Sequence, residues 1–288
     1  MDQKIIALYD EFTHGGMDRR EFMSRLAILA GGATAAATIA PLLENDYAAA
    51  APLAPEGAAA AGDRITYPGA SGEMRAYSAK PEGQGPFPAV IVIHENRGLN
   101  PHIEDVARRA AAAGFWAIAV DALSPVGGTP PDADAAREAI GKLDAAATKG
   151  DFVAAVEFAR KNEQSTGKVG CVGFCWGGAM ANTLAVNCPD LAAAVAFYGR
   201  QPAAADVPKI KAAVQLHYAG LDERINAGIA DYESALKAAG VRYELHMYDG
   251  VNHAFHNDTS KERYNEEAAK LAWKRTIEFF DKYLKPGA

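Results

Sequence analysis

Residues 168–178 read KVGCVGFCWGG, an apolar, β-branched run that ends at Cys175, with a glycine two positions to either side of it. The next residues, WGGAMANTLAVNC, are small and apolar and suit a buried helix. Gly173-Phe174-Cys175-Trp176-Gly177 thus fits G-x-nucleophile-x-G, the sharp strand-to-helix turn that projects a reactive side chain from the end of a sheet, with cysteine in the position usually held by serine. Such a turn is strained and crowded, and neighbouring side chains would collide unless the flanking residues were glycine. A sulfur held there projects from the sheet edge and sits at a helix N-terminus that favours the thiolate. The backbone N–H of Trp176 points to where an attacked carbonyl oxygen would lie. By itself Cys175 also reads as a small buried hydrophobe beside Cys171, the usual fate of a free cysteine. Its partners decide between the two.

Working outward, apolar strand-like runs alternate with helical ones. The strands are ITY, EMRAYSA, PAVIVIH (88–94), FWAIAV (115–120), KVGCVGF, LAAAVAFYG, AAVQLHY and YELHMY (243–248). Asn100-Pro101 caps a helix that runs to Gly114. Further helices are predicted over 132–147, 151–161, 225–239 and 261–283. Buried strands alternating with crossover helices mean a mainly parallel sheet of about eight strands, covered on both faces. In such sheets chemistry collects at the carboxyl ends of the strands.

A nucleophile on this turn expects an acid and then a histidine later in the chain, each in a loop after a strand. AGLDERIN follows AAVQLHY and puts Asp222 in one such loop; DGVNHAFHND follows YELHMY and puts His253 in the next. Cys175, His253 and Asp222 form the expected triad, His253 as general base and then acid, Asp222 fixing its tautomer. His217 and His246 lie within strands and read as core or sheet-face residues. His256 could compete with His253, or HAFH with Asp222 could hold a metal, but no third clear ligand stands near, so neither metal nor cofactor is expected. Glu223 and Asp249 are alternatives for the acid; Asp249 precedes the loop turn and Glu223 reads as a surface charge. The loop HENRGLNP follows PAVIVIH and offers the backbone N–H of Asn96 as a second oxyanion donor. Glu95 in that loop reads as a functional carboxylate or as the partner of Arg97 or Arg109.

The 288 residues, 49% hydrophobic and 23% charged, suffice for one large α/β domain. The net charge of −7 comes from intermixed signs with no basic stripe, which excludes a nucleic-acid partner. Three cysteines without a CxxC spacing indicate neither a disulfide framework nor a zinc cluster.

The first fifty residues stand apart. RREFMSRLAILAGGATAAATIA, from Arg19, followed by small residues at 47–50, resembles a twin-arginine export signal, and this predicts a periplasmic or secreted protein. The apolar part is too short and too rich in Ala, Gly and Thr to span a membrane. The alternative is a retained arm of two helices, 4–12 and 19–29, with Asp18 as N-cap, on a cytoplasmic protein in which the arm could support a homo-oligomer. Ile5, Leu8, Tyr9 and Phe12 at helical spacing are unusual for a signal. Residues 51–62 read as an Ala/Pro-rich linker, and 63–288 as the α/β domain.

GFCWGG, HENRG, LDERIN and GVNHAFHND together resemble the dienelactone hydrolase family of α/β-hydrolases, from about Ile65 to the C-terminus, and the extension resembles that of an uncharacterised branch. The resemblance implies a Cys-His-Asp triad, no cofactor, and hydrolysis of an enol-lactone or related small ester through a thioester. It implies that Glu95 takes the thiol proton as substrate binds, the resting sulfur staying protonated beside a like charge. The best-known members hold a substrate carboxylate with an arginine at the position of Asn257, so Asn257, Arg97, Arg200 and Tyr198 are the substrate-binding candidates. Other readings are a different leaving group, such as a phosphotriester, and a non-catalytic ligand-binding relative.

Overall fold

A computed structural model of the chain describes residues 1–47 and 62–285. Its strands are β1 (Asp63–Pro68), β2 (Glu73–Ala79), β3 (Phe87–Ile93), β4 (Trp116–Val120), β5 (Ser165–Phe174), β6 (Ala193–Phe197), β7 (Ala213–Ala219) and β8 (Tyr243–Tyr248). They form one sheet in the order β1-β2-β4-β3-β5-β6-β7-β8. The pairs β1/β2 and β2/β4 are antiparallel and all others parallel. β4, β6 and β7 are buried at every residue. A strand covered on both faces needs apolar side chains on both, which is why these read as continuous rather than alternating apolar runs.

Among the described residues seven α-helices accompany the sheet: α4 (Pro101–Ala112), α5 (Ala133–Gly141), α6 (Ala145–Lys161), α7 (Trp176–Asn187), α8 (Glu223–Asn226), α9 (Ile229–Ala238) and α10 (Glu266–Leu284). One face of the sheet packs against Phe152 and Val156 of α6, Leu184 of α7 and Leu236 of α9. The other packs against Ile103 and Val106 of α4 and Phe279 and Phe280 of α10. Three expected helix starts moved to side-chain caps that apolar spacing does not register, and one of those helices breaks at a glycine. Asp144 accepts from the Ala147 N–H and starts α6 there, so 132–147 is not one helix. Asp222 caps the short α8, and α9 begins afresh after Gly228. Asn265 caps α10, which starts at Glu266 instead of residue 261.

The N-terminal residues fold as three helices: α1 (Gln3–His14), α2 (Arg19–Ala30) and α3 (Ala33–Leu43). Asp18 caps α2 as expected; α3 was not anticipated, its Ala-rich sequence having been read as leader. The three share a small core of Tyr9, Phe12, Phe22, Leu26 and Leu43. Among the described residues no single helix is long and apolar enough to cross a membrane; α2 and α3 together approach that composition but are bent by 112°. Residues 48–50, where cleavage was expected, and nearly all of the linker lie outside the described residues.

The end of α1 lies against the α/β layer. Arg137 of α5 donates to the Phe12 carbonyl at 2.9 Å with its guanidinium 4.4 Å from the Phe12 ring centroid, and the Asn96 side-chain amide donates to the Thr13 carbonyl at 2.9 Å. These are last-turn carbonyls, which a helix leaves without internal partners. Helix α5 and the loop after β3 therefore cap α1.

Candidate active site

Cys175 follows directly on β5 and precedes α7. Its backbone has φ 56° and ψ −111°, a conformation that non-glycine residues rarely adopt. A Cβ at Gly173 would overlap the Gly177 carbonyl, and one at Gly177 would overlap the carbonyls of Ile93 and His94. The glycines are there because backbone passes against backbone at the turn. Trp176 is the first residue of α7, so its N–H is one of those left unpaired by the helix. Cys171 is fully buried in the core, and burial pushes its thiol well above the usual range, which leaves it inert.

Asp222 stands at the end of the loop after β7. Its Oδ1 accepts from the Ile225 N–H at 3.2 Å, and its Oδ2 lies 2.5 Å from His253 Nδ1. A carboxylate there accepts, so Nδ1 of His253 carries the proton and Nε2 keeps a lone pair. That Nε2 is buried and has no hydrogen-bond partner among the described residues. Glu223 and Asp249, the rival acids, are exposed.

A second imidazole meets the sulfur, and it comes from α1. His14 Nε2 is 2.9 Å from Cys175 Sγ, across 161 residues of sequence. Its Nδ1 lies 2.9 Å from the Asp10 carbonyl oxygen and 3.0 Å from the Asp10 carboxylate. Burial lowers the His14 pKa, but the Cys175 charge and the bond to Asp10 outweigh it and raise the pKa from 6.5 to about 9. Coordinating atoms of His14, Cys175 and His253 all lie within 4.8 Å of one another. Nothing local in the sequence marks His14, which reads as the residue before a Gly-Gly break; the only signal was the apolar stripe that packs α1.

The remaining candidates divide. Glu95 is buried, but its carboxylate accepts from Asn257 Nδ2 at 2.7 Å and from the Tyr198 hydroxyl at 3.3 Å; no hydrogen bond to Cys175 forms. The alternative pairing with Arg97 or Arg109 is also absent: Arg97 binds Asp134 at 2.8 Å, and Arg109 binds Asp105 and Asp258. Asn257, expected to face substrate, is fully buried and positions Glu95 instead. His256 is fully buried with its ring stacked 4.9 Å from Phe174, so it neither competes with His253 nor joins Asp222 in a metal set. His217, buried in β7, bonds to Tyr248 and Gln215 as a core residue. Asn96 spends its side chain on α1 while its backbone N–H stays in the loop after β3.

A cleft of about 640 Å³ leads to Cys175, His253 and Tyr198. Its lining includes the apolar side chains of Trp176, Ile140 and Leu143, together with His14 and the exposed Arg200. A smaller cavity, also lined by His14 and Cys175, includes Glu95, Arg97 and Arg263.

Two family models match the chain: that of the dienelactone hydrolase family over residues 74–284, and one described as YqhI-like over residues 1–32. A Methylorubrum extorquens protein provisionally named carboxymethylenebutenolidase is 32% identical over 276 residues, covering 91% of this chain and 94% of its own length. That coverage exceeds the α/β domain and extends into the N-terminal helices. A Saccharolobus solfataricus protein with the same provisional name is 33% identical, covering 77% of this chain and 98% of its own. A solved structure provisionally assigned as a dienelactone hydrolase, from Klebsiella pneumoniae, superposes with a TM-score of 0.71 at 29% identity, covering 77% of this chain and 98% of that one.

Proposed function

Because the chain belongs to the dienelactone hydrolase family, we propose that it hydrolyses a small ester or lactone through Cys175, with His253 and Asp222 completing the triad. The observation that carries this is the Asp222–His253 pair, whose 2.5 Å bond leaves an unshared Nε2 beside a cysteine held in a strained turn. The thiolate adds to the carbonyl carbon, and the carbon–oxygen π pair moves to the oxygen, facing the N–H groups of Trp176 and Asn96. Collapse expels the alcohol and leaves a thioester. Water, deprotonated by His253, then releases the acid.

The cleft favours an acyl group with an apolar body lying along Trp176, Ile140 and Leu143. With Asn257 committed to Glu95, Arg200 is the candidate for a substrate carboxylate, since its guanidinium is exposed and has no ion-pair partner among the described residues.

Cys175→Ala is expected to abolish turnover of p-nitrophenyl acetate, and single-turnover mass spectrometry of the wild type is expected to find an acyl adduct on Cys175. Undiminished turnover in the variant would reject the cysteine mechanism. Running the assay with esters that carry or lack a carboxylate reads the contribution of Arg200: a lower KM confined to the carboxylate-bearing set supports it.

A further inference from the structure

We infer that His14 of α1 is a catalytic residue, a second imidazole that takes the thiol proton of Cys175 and returns it to the leaving group. The inference rests on the reading of Cys175 as nucleophile and adds a residue from outside the α/β domain. The Asp10 carbonyl can only accept a hydrogen bond, so the 2.9 Å contact to His14 Nδ1 fixes the proton there and leaves Nε2 as the acceptor facing Sγ. His253 has the same tautomer for the same reason, imposed by Asp222. The sulfur thus has two imidazoles near it, each with its Nδ1–H engaged and its Nε2 lone pair available, and only His14 is within hydrogen-bond reach of it. The carboxylate expected to serve the sulfur, Glu95, is occupied by Asn257 and Tyr198. His14 stands in its place.

Two imidazoles permit a division of labour. In the resting enzyme the S–H bond breaks and the proton moves to His14 Nε2, giving a thiolate–imidazolium pair. The thiolate forms the C–S bond, and as the tetrahedral adduct collapses the departing oxygen takes the proton from His14. His253 removes a proton from water as it adds to the thioester. The C–S bond breaks with its electron pair on sulfur, His253 gives its proton up to solvent and His14 takes one back from solvent, restoring the pair. Each turn consumes one ester and one water and yields one acid and one alcohol. The charged and titratable groups that bear on His14 are Asp10 on its own helix, Cys175, His253 and Glu95 from the sheet loops, Arg137 of α5 and Arg224 of α8. Arg224 reaches Asp10 at 3.3 Å.

The test is His14→Gln in the full-length chain, read by the pH dependence of Cys175 alkylation with iodoacetamide, followed by mass spectrometry, and by kcat/KM. The expected result is an alkylation midpoint raised by about one pH unit or more and a kcat/KM lower by roughly 100-fold, the usual scale of a general acid–base group. An unchanged midpoint with unchanged kcat/KM overturns the proposal. Asp10→Asn, which leaves the imidazole in place, is expected to move the midpoint in the same direction by less, and supplies the measurement should the first variant not fold; no movement there overturns it equally. Cys175→Ala separates the two claims. Turnover retained in that variant rejects the hydrolytic role of the cysteine, whereas the alkylation profiles of wild type and His14→Gln still report on the pair.

Discussion

The state of one proton decides how this site rests. In a folded chain with His14 raised to about 9 against 6.5 for a free imidazole, the charged form is favoured by folding. Its stabilisation is complete below pH 6.5 and is lost as pH rises through about 9. Thermal unfolding of wild type and His14→Gln should therefore differ most at or below pH 6.5 and converge by pH 10; a gap that stays constant from pH 6 to pH 10 would mean the charge plays no part. At this scale the sequence was unevenly legible. Cys175, Asp222 and His253 each follow a strand in a fixed order, and the structure places His253 Nδ1 2.5 Å from Asp222 and its ring near Cys175 Sγ. His14 and Asp10 were not legible, because they reach the sulfur only through the packing of a separate helix. Asn257 was misread as a substrate ligand, because whether an amide faces a cleft or a buried carboxylate depends on the backbone turn after His253.

Among the elements, the strand–turn–helix β5–Cys175–α7 is the most constrained. Gly177 is pressed against the carbonyls of Ile93 and His94 at the end of β3, so the helix can start only if it has no side chain there. Gly177→Ala should lower stability by about 1–3 kcal/mol, the range for overpacking a filled interior, and should cost activity although Cys175, His253 and Asp222 all remain. Chemical denaturation alongside the ester assay checks both, and a variant with wild-type midpoint and turnover would show the approach to be looser than described. The strands were readable almost in full, since burial on both faces forces continuous apolar runs. Helix limits were not: at Asp144 and Asn265 one short polar side chain starts a helix within a segment whose spacing suggests no break.

At the scale of the whole molecule, the N-terminal helices are joined to the α/β layer by directional bonds as well as packing. Met1 pairs with Glu262 at 3.3 Å, Arg19 with Asp134 at 2.9 Å, and the Asp46 N–H donates to the Thr259 carbonyl at 2.9 Å. If His14 serves Cys175, protein isolated from its native host retains residues 1–14. N-terminal sequencing that begins after residue 14 would contradict it and favour the export reading. A periodic apolar stripe was visible in this segment, but its composition suits a leader and an arm alike, and only its destination separates them. That destination has a kinetic meaning. Because α1 belongs to the same chain as Cys175, the meeting of His14 with that sulfur is unimolecular, governed by an effective concentration of the order of millimolar or more and indifferent to dilution of the enzyme. A small imidazole added from solution to a chain lacking His14 would have to match that concentration before it could stand in for the tethered one.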